Sequence, residues 1–170
     1  MAKALCALIL AVLAAGCGQT RTVVRTVTVS SPELARYYGH IVSLDRRGSG
    51  YLLRFDPAWF VTGVTANVAQ AEDTKRHCPP LSCPPVANDS YVVDEDNRTL
   101  TFIVPANAHG SVLLKRANGG GLPSTRISVA QLAALVHGRT GATLWEPLST
   151  GVWITVRVDR VVSFRQQYRP

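Results

Sequence analysis

Three features of this 170-residue chain predict an α+β fold: a mostly antiparallel small sheet or partly open barrel with two or three short helices. The first is strict alternation near the C-terminus, where Val152, Ile154, Val156 and Val158 interleave with Trp153, Thr155 and Arg157. That is the period of a strand with one buried face. The second is a series of six or seven short apolar runs divided by Gly, Pro, Asn and Asp clusters. The third is a pair of helix-start signatures, Asp56-Pro57 and Ser128 with Gln131 three residues on. A composition of 46% apolar and 17% charged residues excludes a disordered chain. With 13 Gly and 10 Pro, nothing fibrous is encoded.

The chain opens with Lys3 and then twelve apolar residues, Ala4 to Ala15. A membrane-spanning helix needs about 20, so the stretch reads as the core of a secretory signal. Small residues Ala14, Ala15 and Gly16 then lead into Cys17. Residues 19–31, QTRTVVRTVTVSS, hold no acid and no aromatic. Their β-branched side chains favour an extended spacer, with Arg21 and Arg25 available to anionic lipid headgroups. The alternative is a first strand of the domain, whose face of Val23, Arg25, Val27 and Val29 is interrupted by Arg25. Ser31-Pro32-Glu33 reads as the N-cap and first turn of a helix ending at Arg36. Folded sequence is expected from Tyr37 onward, so the organisation is 1–16 signal, 17–36 tether and 37–170 domain.

Within the domain, Gly39–Leu44 and Tyr51–Phe55 read as strands joined by a long turn over Asp45–Gly50. Asp56-Pro57 starts a short helix that stops at Gly63, and Thr65–Asp73 continues as a better one. Residues 77–87, HCPPLSCPPVA, carry four prolines and exclude regular structure. Tyr91–Val93 and Thr99–Val104 flank Asp94–Arg98 and read as a second hairpin. Ser111–Lys115 is a further strand, Gly119–Pro123 a flexible loop, and Ser128 opens a helix ending at Gly138. The last two strands, with Val162 and Phe164 inward on the second, turn near Asp159-Arg160 as a third hairpin.

Leu13-Ala14-Ala15-Gly16-Cys17 resembles a bacterial lipobox, departing from its usual form at Ala14. The resemblance implies cleavage before Cys17, a thioether-linked diacylglycerol on that residue, and attachment to the outer face of the cell membrane. Ordinary secretion and an uncleaved anchor are the alternatives. The stretch FDPAWFVTGVTANVAQAED, the proline-rich cysteine loop, NDSYVVDEDNRTLTF and the terminal GVWITVRVDRVVSFRQQYRP resemble a set of uncharacterised exported proteins of high-GC Gram-positive bacteria. That likeness spans about Gly39 to Pro170. It implies an exported location and a domain boundary and supplies no functional residue.

With Cys6 leaving in the signal and Cys17 lipidated, Cys78 and Cys83 remain as an even pair. In an oxidising compartment they are expected to form a disulfide across a short loop. Cys-x-x-Cys redox spacing is absent, and His77 has no second close ligand pair to make a zinc site. Asp94 and Asp96 alternate as calcium ligands do, but no late Glu closes such a loop. No nucleophile or phosphate-loop motif occurs, and no cofactor is implied. The remaining catalytic candidate is a scattered pair, His40 with Asp56, which would make a hydrolase or transferase the alternative reading.

The stronger signal is an outward face on the last hairpin, where Trp153, Arg157 and Arg165 present a Trp beside arginines. That is a common composition for binding surfaces. Coverage of Trp153 by the tether or by the Gly119–Pro123 loop is the bland alternative. The formal charge of +7 is dispersed, whereas nucleic acid demands a clustered patch. Anionic lipid, or a polymer or protein of the cell envelope, is the partner class that this charge suits. The sequence therefore predicts a membrane-anchored extracytoplasmic protein with a non-catalytic binding domain.

Overall fold

A computed structural model describes residues 33–94, 98–115 and 124–169. They belong to one compact unit, Pro32–Pro170. The fold is α+β, as expected, built on an eight-stranded mixed sheet.

The first strand, β1 (Leu34–Arg47), starts three residues before the expected boundary. The helical turn expected to end at Arg36 does not form over its described residues. Leu34, Ala35 and Arg36 instead pair with Arg157, Val156 and Thr155, because a ready ladder outweighs a local cap signal. Ser31 and Pro32 lie outside the described residues, as do the signal, Cys17 and the tether up to position 32.

Strand β2 (Gly50–Thr62) returns antiparallel to β1. The turn between them is only Gly48-Ser49, so Asp45–Arg47 stay in the ladder rather than forming a long loop. The helix expected at Asp56-Pro57 is also absent, and β2 runs through it. Asp56 lies opposite His40 and Pro57 opposite Gly39. The following Ala-Trp-Phe-Val-Thr is aromatic and β-branched, a composition that suits a pleated surface once a partner strand is present. A Cβ on Gly39 would lie 2.0 Å from the Asp56 carbonyl oxygen; glycine is what allows so close an approach.

Helix α1 (Gly63–Asp73) begins two residues earlier than expected, with Thr62 as its N-cap. Two short 3-10 turns, Pro80–Ser82 and Ala87–Asp89, carry the proline-rich segment. The disulfide is present, with Cys78 and Cys83 Cα atoms 5.2 Å apart. The Asn67 side chain ties the segment to α1 by accepting from the Val86 N–H at 2.8 Å.

Strands β3 (Ser90–Val93) and β4 (Leu100–Pro105) do not pair with each other. Both pair with β2: β3 with Trp59–Thr62 and β4 with Gly50–Phe55. The long β2 offers each a partner, so two separate pairings with β2 replace the expected second hairpin. Glu95, Asp96 and Asn97, at its link, lie outside the described residues. Strand β5 (His109–Leu113) starts two residues earlier than expected. An additional strand, β6 (Ser124–Ser128), pairs with it. Residues 116–123, which include the Gly-rich loop, are outside the described residues.

Helix α2 (Val129–Val136) has the expected capping box, with Ser128 and Gln131 satisfying one another's backbone. Strands β7 (Val152–Arg157) and β8 (Arg160–Gln166) form the expected C-terminal hairpin. A register shift at Thr155/Val156 changes which residues face inward. Val161, not Val162, is buried, and Val158 sits in the turn, 77% exposed. A bulge re-phases the inward set because strand period is two.

Pairings β1–β2, β2–β4, β4–β8, β8–β7 and β7–β1 make a ring, closed at β4–β8 by the single pair Ile103–Arg160. Leu44, Phe55, Val112, Ile154, Val156, Val161 and Phe164 fill it, and α2 adds Val129 and Leu132. The result is a small, barely closed barrel.

Candidate functional site

Strand β1 meets β2 only from Tyr38 onward, while its first residues pair with β7 alone. The far end of β2 turns to β3 instead. The two strands thus diverge and leave a cleft of about 530 Å³. Aromatic residues from both strands line it: Tyr37 and Tyr38 on one side, Trp59 and Phe60 on the other. Trp153 of β7 completes the wall, because it is the cross-strand partner of Tyr38.

The wall is tightly packed. The Tyr38 ring lies 5.1 Å from both Phe60 and Trp153, and Phe60 stands edge-on to Trp153 at 6.1 Å. Such tilted contacts exceed simple area burial by about 1 kcal/mol each. The Tyr38 hydroxyl donates to the Thr150 carbonyl at 2.5 Å. Burial pushes its phenol above the ordinary value, and the Arg169 guanidinium works against that shift. Trp153 Nε1 donates to Gln167 Oε1 at 2.8 Å. Trp153 is therefore half-buried and fixed. It is covered by Tyr38 and by Arg36, whose guanidinium carbon lies 4.3 Å from the ring centroid, an attractive cation–π placement. Trp59 is 71% exposed and leaves its indole open to solvent.

Of the three residues expected on the binding face, two come together. Arg165 is directly opposite Trp153 on β8. Arg157 lies at the other end of β7, opposite Leu34 and Arg160; of the three, only Trp153 lines the cleft itself. Arg36, Tyr37, Tyr38, Trp59 and Phe60 were missed. Two adjacent aromatic pairs, Tyr37-Tyr38 and Trp59-Phe60, were the available signal. It was hidden by assigning Arg36 to a turn and Trp59-Phe60 to a helix.

His40 and Asp56 are cross-strand partners beside this wall, with the His40 ring 6.2 Å from Tyr38. His40 Nε2 lies 3.9 Å from Asp94 Oδ2, beyond hydrogen-bond length. Asp56 Oδ1 is buried and accepts no hydrogen bond from the described residues. No Ser, Thr or Cys among the described residues hydrogen-bonds His40, so the nucleophile–base pair of covalent catalysis is not assembled there. No group of three or more His, Cys, Asp or Glu among the described residues could hold a metal ion.

No protein-family model, characterised protein or solved structure matches this chain.

Proposed function

We propose that this protein is a lipid-anchored extracytoplasmic binding protein whose ligand occupies the aromatic cleft between β1 and β2. The observation that carries the reading is the cleft itself. Its volume is in the range of ligand sites, about 300–1,000 Å³, and its wall is rigid and aromatic with an exposed indole at the rim. Pre-set walls reduce the ordering cost of binding. Attachment through Cys17 at the outer face of the membrane is supported by the small residues before it and by the short apolar stretch. The Cys78–Cys83 disulfide suits an oxidising compartment. Envelope polymers and proteins are then the accessible partners.

The alternative, a hydrolase or transferase at His40 and Asp56, draws on the unsatisfied Asp56 oxygen. Among the described residues no Ser, Thr or Cys hydrogen-bonds His40.

Recovery of envelope components on the purified protein tests the binding site. Trp153→Ala is a poor control, because Trp153 packs the wall and its loss opens a cavity. Trp59→Ala removes an exposed ring instead and is expected to lower recovery without lowering Tm. Undiminished recovery would remove the cleft from the account. Mass spectrometry of the mature amino terminus tests the anchor: an unmodified Cys17 thiol would refute it.

A further inference from the structure

Resting on that reading of the cleft, we propose that its ligand is an acidic saccharide, with a sugar ring against Trp59 and a carboxylate on Arg36. The lining carries one charged side chain, Arg36. Contact with the Trp153 face orients its guanidinium, and no carboxylate of the described residues lies within ion-pair distance of it. Arg165, opposite Trp153, extends the positive character along the same side of the wall. An uncharged apolar ligand would strip water from the guanidinium without replacing its hydrogen bonds, which is costly. A carboxylate accepts two parallel N–H bonds from it.

The open indole of Trp59 selects the rest of the ligand. It is 71% exposed at the rim of a cleft in which Tyr38, Phe60 and Trp153 are already packed against one another. A pyranose presents a flat face of C–H groups to such a ring and directs its hydroxyls outward to water. Arg36 already covers the Trp153 face, so the ring and the acid are received at separate places. Both places line the same cleft, which suits a cyclic body that also carries an acid.

The test compares three probes on the purified protein by titration calorimetry: oligogalacturonate, a neutral galacto-oligosaccharide of equal length, and oligoglutamate. Oligogalacturonate is expected to bind about ten-fold or more tighter than either of the others. Arg36→Gln should bring it to within about three-fold of the neutral sugar, and Trp59→Ala should weaken both sugars by about ten-fold. Equal binding of the neutral sugar would overturn the role of the acid. Equal binding of oligoglutamate would make the ligand an acidic peptide and overturn the saccharide. Absence of binding by all three probes overturns the ligand class too. In each of those cases, loss of envelope recovery by Trp59→Ala would leave the cleft standing as a site. Unchanged recovery would remove both.

Discussion

Val158 is held at φ 62°, left-handed backbone that a β-branched side chain resists. Its valine is 77% exposed, so it has little packing to lose. Val158→Gly is therefore expected to raise stability by about 1 kcal/mol, read as a higher urea midpoint; an unchanged midpoint would show the turn to be relaxed. Gly151 is the converse case. Its φ is 113°, and a Cβ there would lie 2.1 Å from the Tyr38 hydroxyl oxygen. Gly151→Ala should displace Tyr38 and lower Tm, with a change in near-UV circular dichroism from the aromatic wall. Tyr38 itself links the site to pH. Burial raises its native pKa above the ordinary 10.0, so the folded state holds the phenolic proton more tightly than the unfolded chain. The associated stability is complete below pH 10 and is lost as pH rises through the raised native value. Tyr38→Phe should cost about 1 kcal/mol at neutral pH through the lost hydrogen bond. It should also flatten the alkaline fall in Tm, and parallel profiles for the two proteins would contradict this.

Among the elements, the proline-rich segment shows how a local bond acts locally. Five positions separate Cys78 from Cys83, so the crosslink removes little unfolded-chain freedom. The double replacement Cys78→Ser with Cys83→Ser should cost at most about 2 kcal/mol. Thermal unfolding would show a modest drop in Tm with an unchanged far-UV spectrum, since the barrel core holds neither cysteine. A collapse of the sheet would contradict that division. The capping box of α2 and the β7–β8 hairpin were legible in the sequence because their signals are short-range: a side chain reaching three residues, and side-chain alternation across a tight turn. Asp56-Pro57 misled for the same reason. As a local signal it spells a helix start, but His40 and Gly39 of β1 supply a ladder opposite it. Pairing of β3 and β4 with β2, rather than with each other, was likewise invisible, because it depends on how far β2 extends.

For the whole molecule, the weakest part of the ring is the β4–β8 closure. A single residue pair joins those strands, supported by Ile103 N–H donating to the Asp159 carbonyl at 3.0 Å. By comparison the β1–β7 ladder is continuous, and the β1–β2 ladder is long on both sides of one register shift at Ile41/Ser43. Native-state hydrogen exchange should find the Ile103 amide less protected than those of Leu44 and Ile154, which sit in the core. Equal protection would mean that the ring opens only by global unfolding.

Composition, apolar alternation and cap chemistry were enough to specify an α+β, mostly antiparallel domain and its closing hairpin. The disulfide followed from the even pair left after Cys6 and Cys17, at a spacing that a short loop can bridge. These follow from interactions among residues near one another in the chain. The cleft does not. Tyr37-Tyr38, Trp59-Phe60 and Trp153 come from three separated strands, and they meet because β1 leaves β2 for β7 at Tyr38. Choice of strand partner is a competition among distant segments for the same backbone donors and acceptors, and no local pattern encodes its outcome.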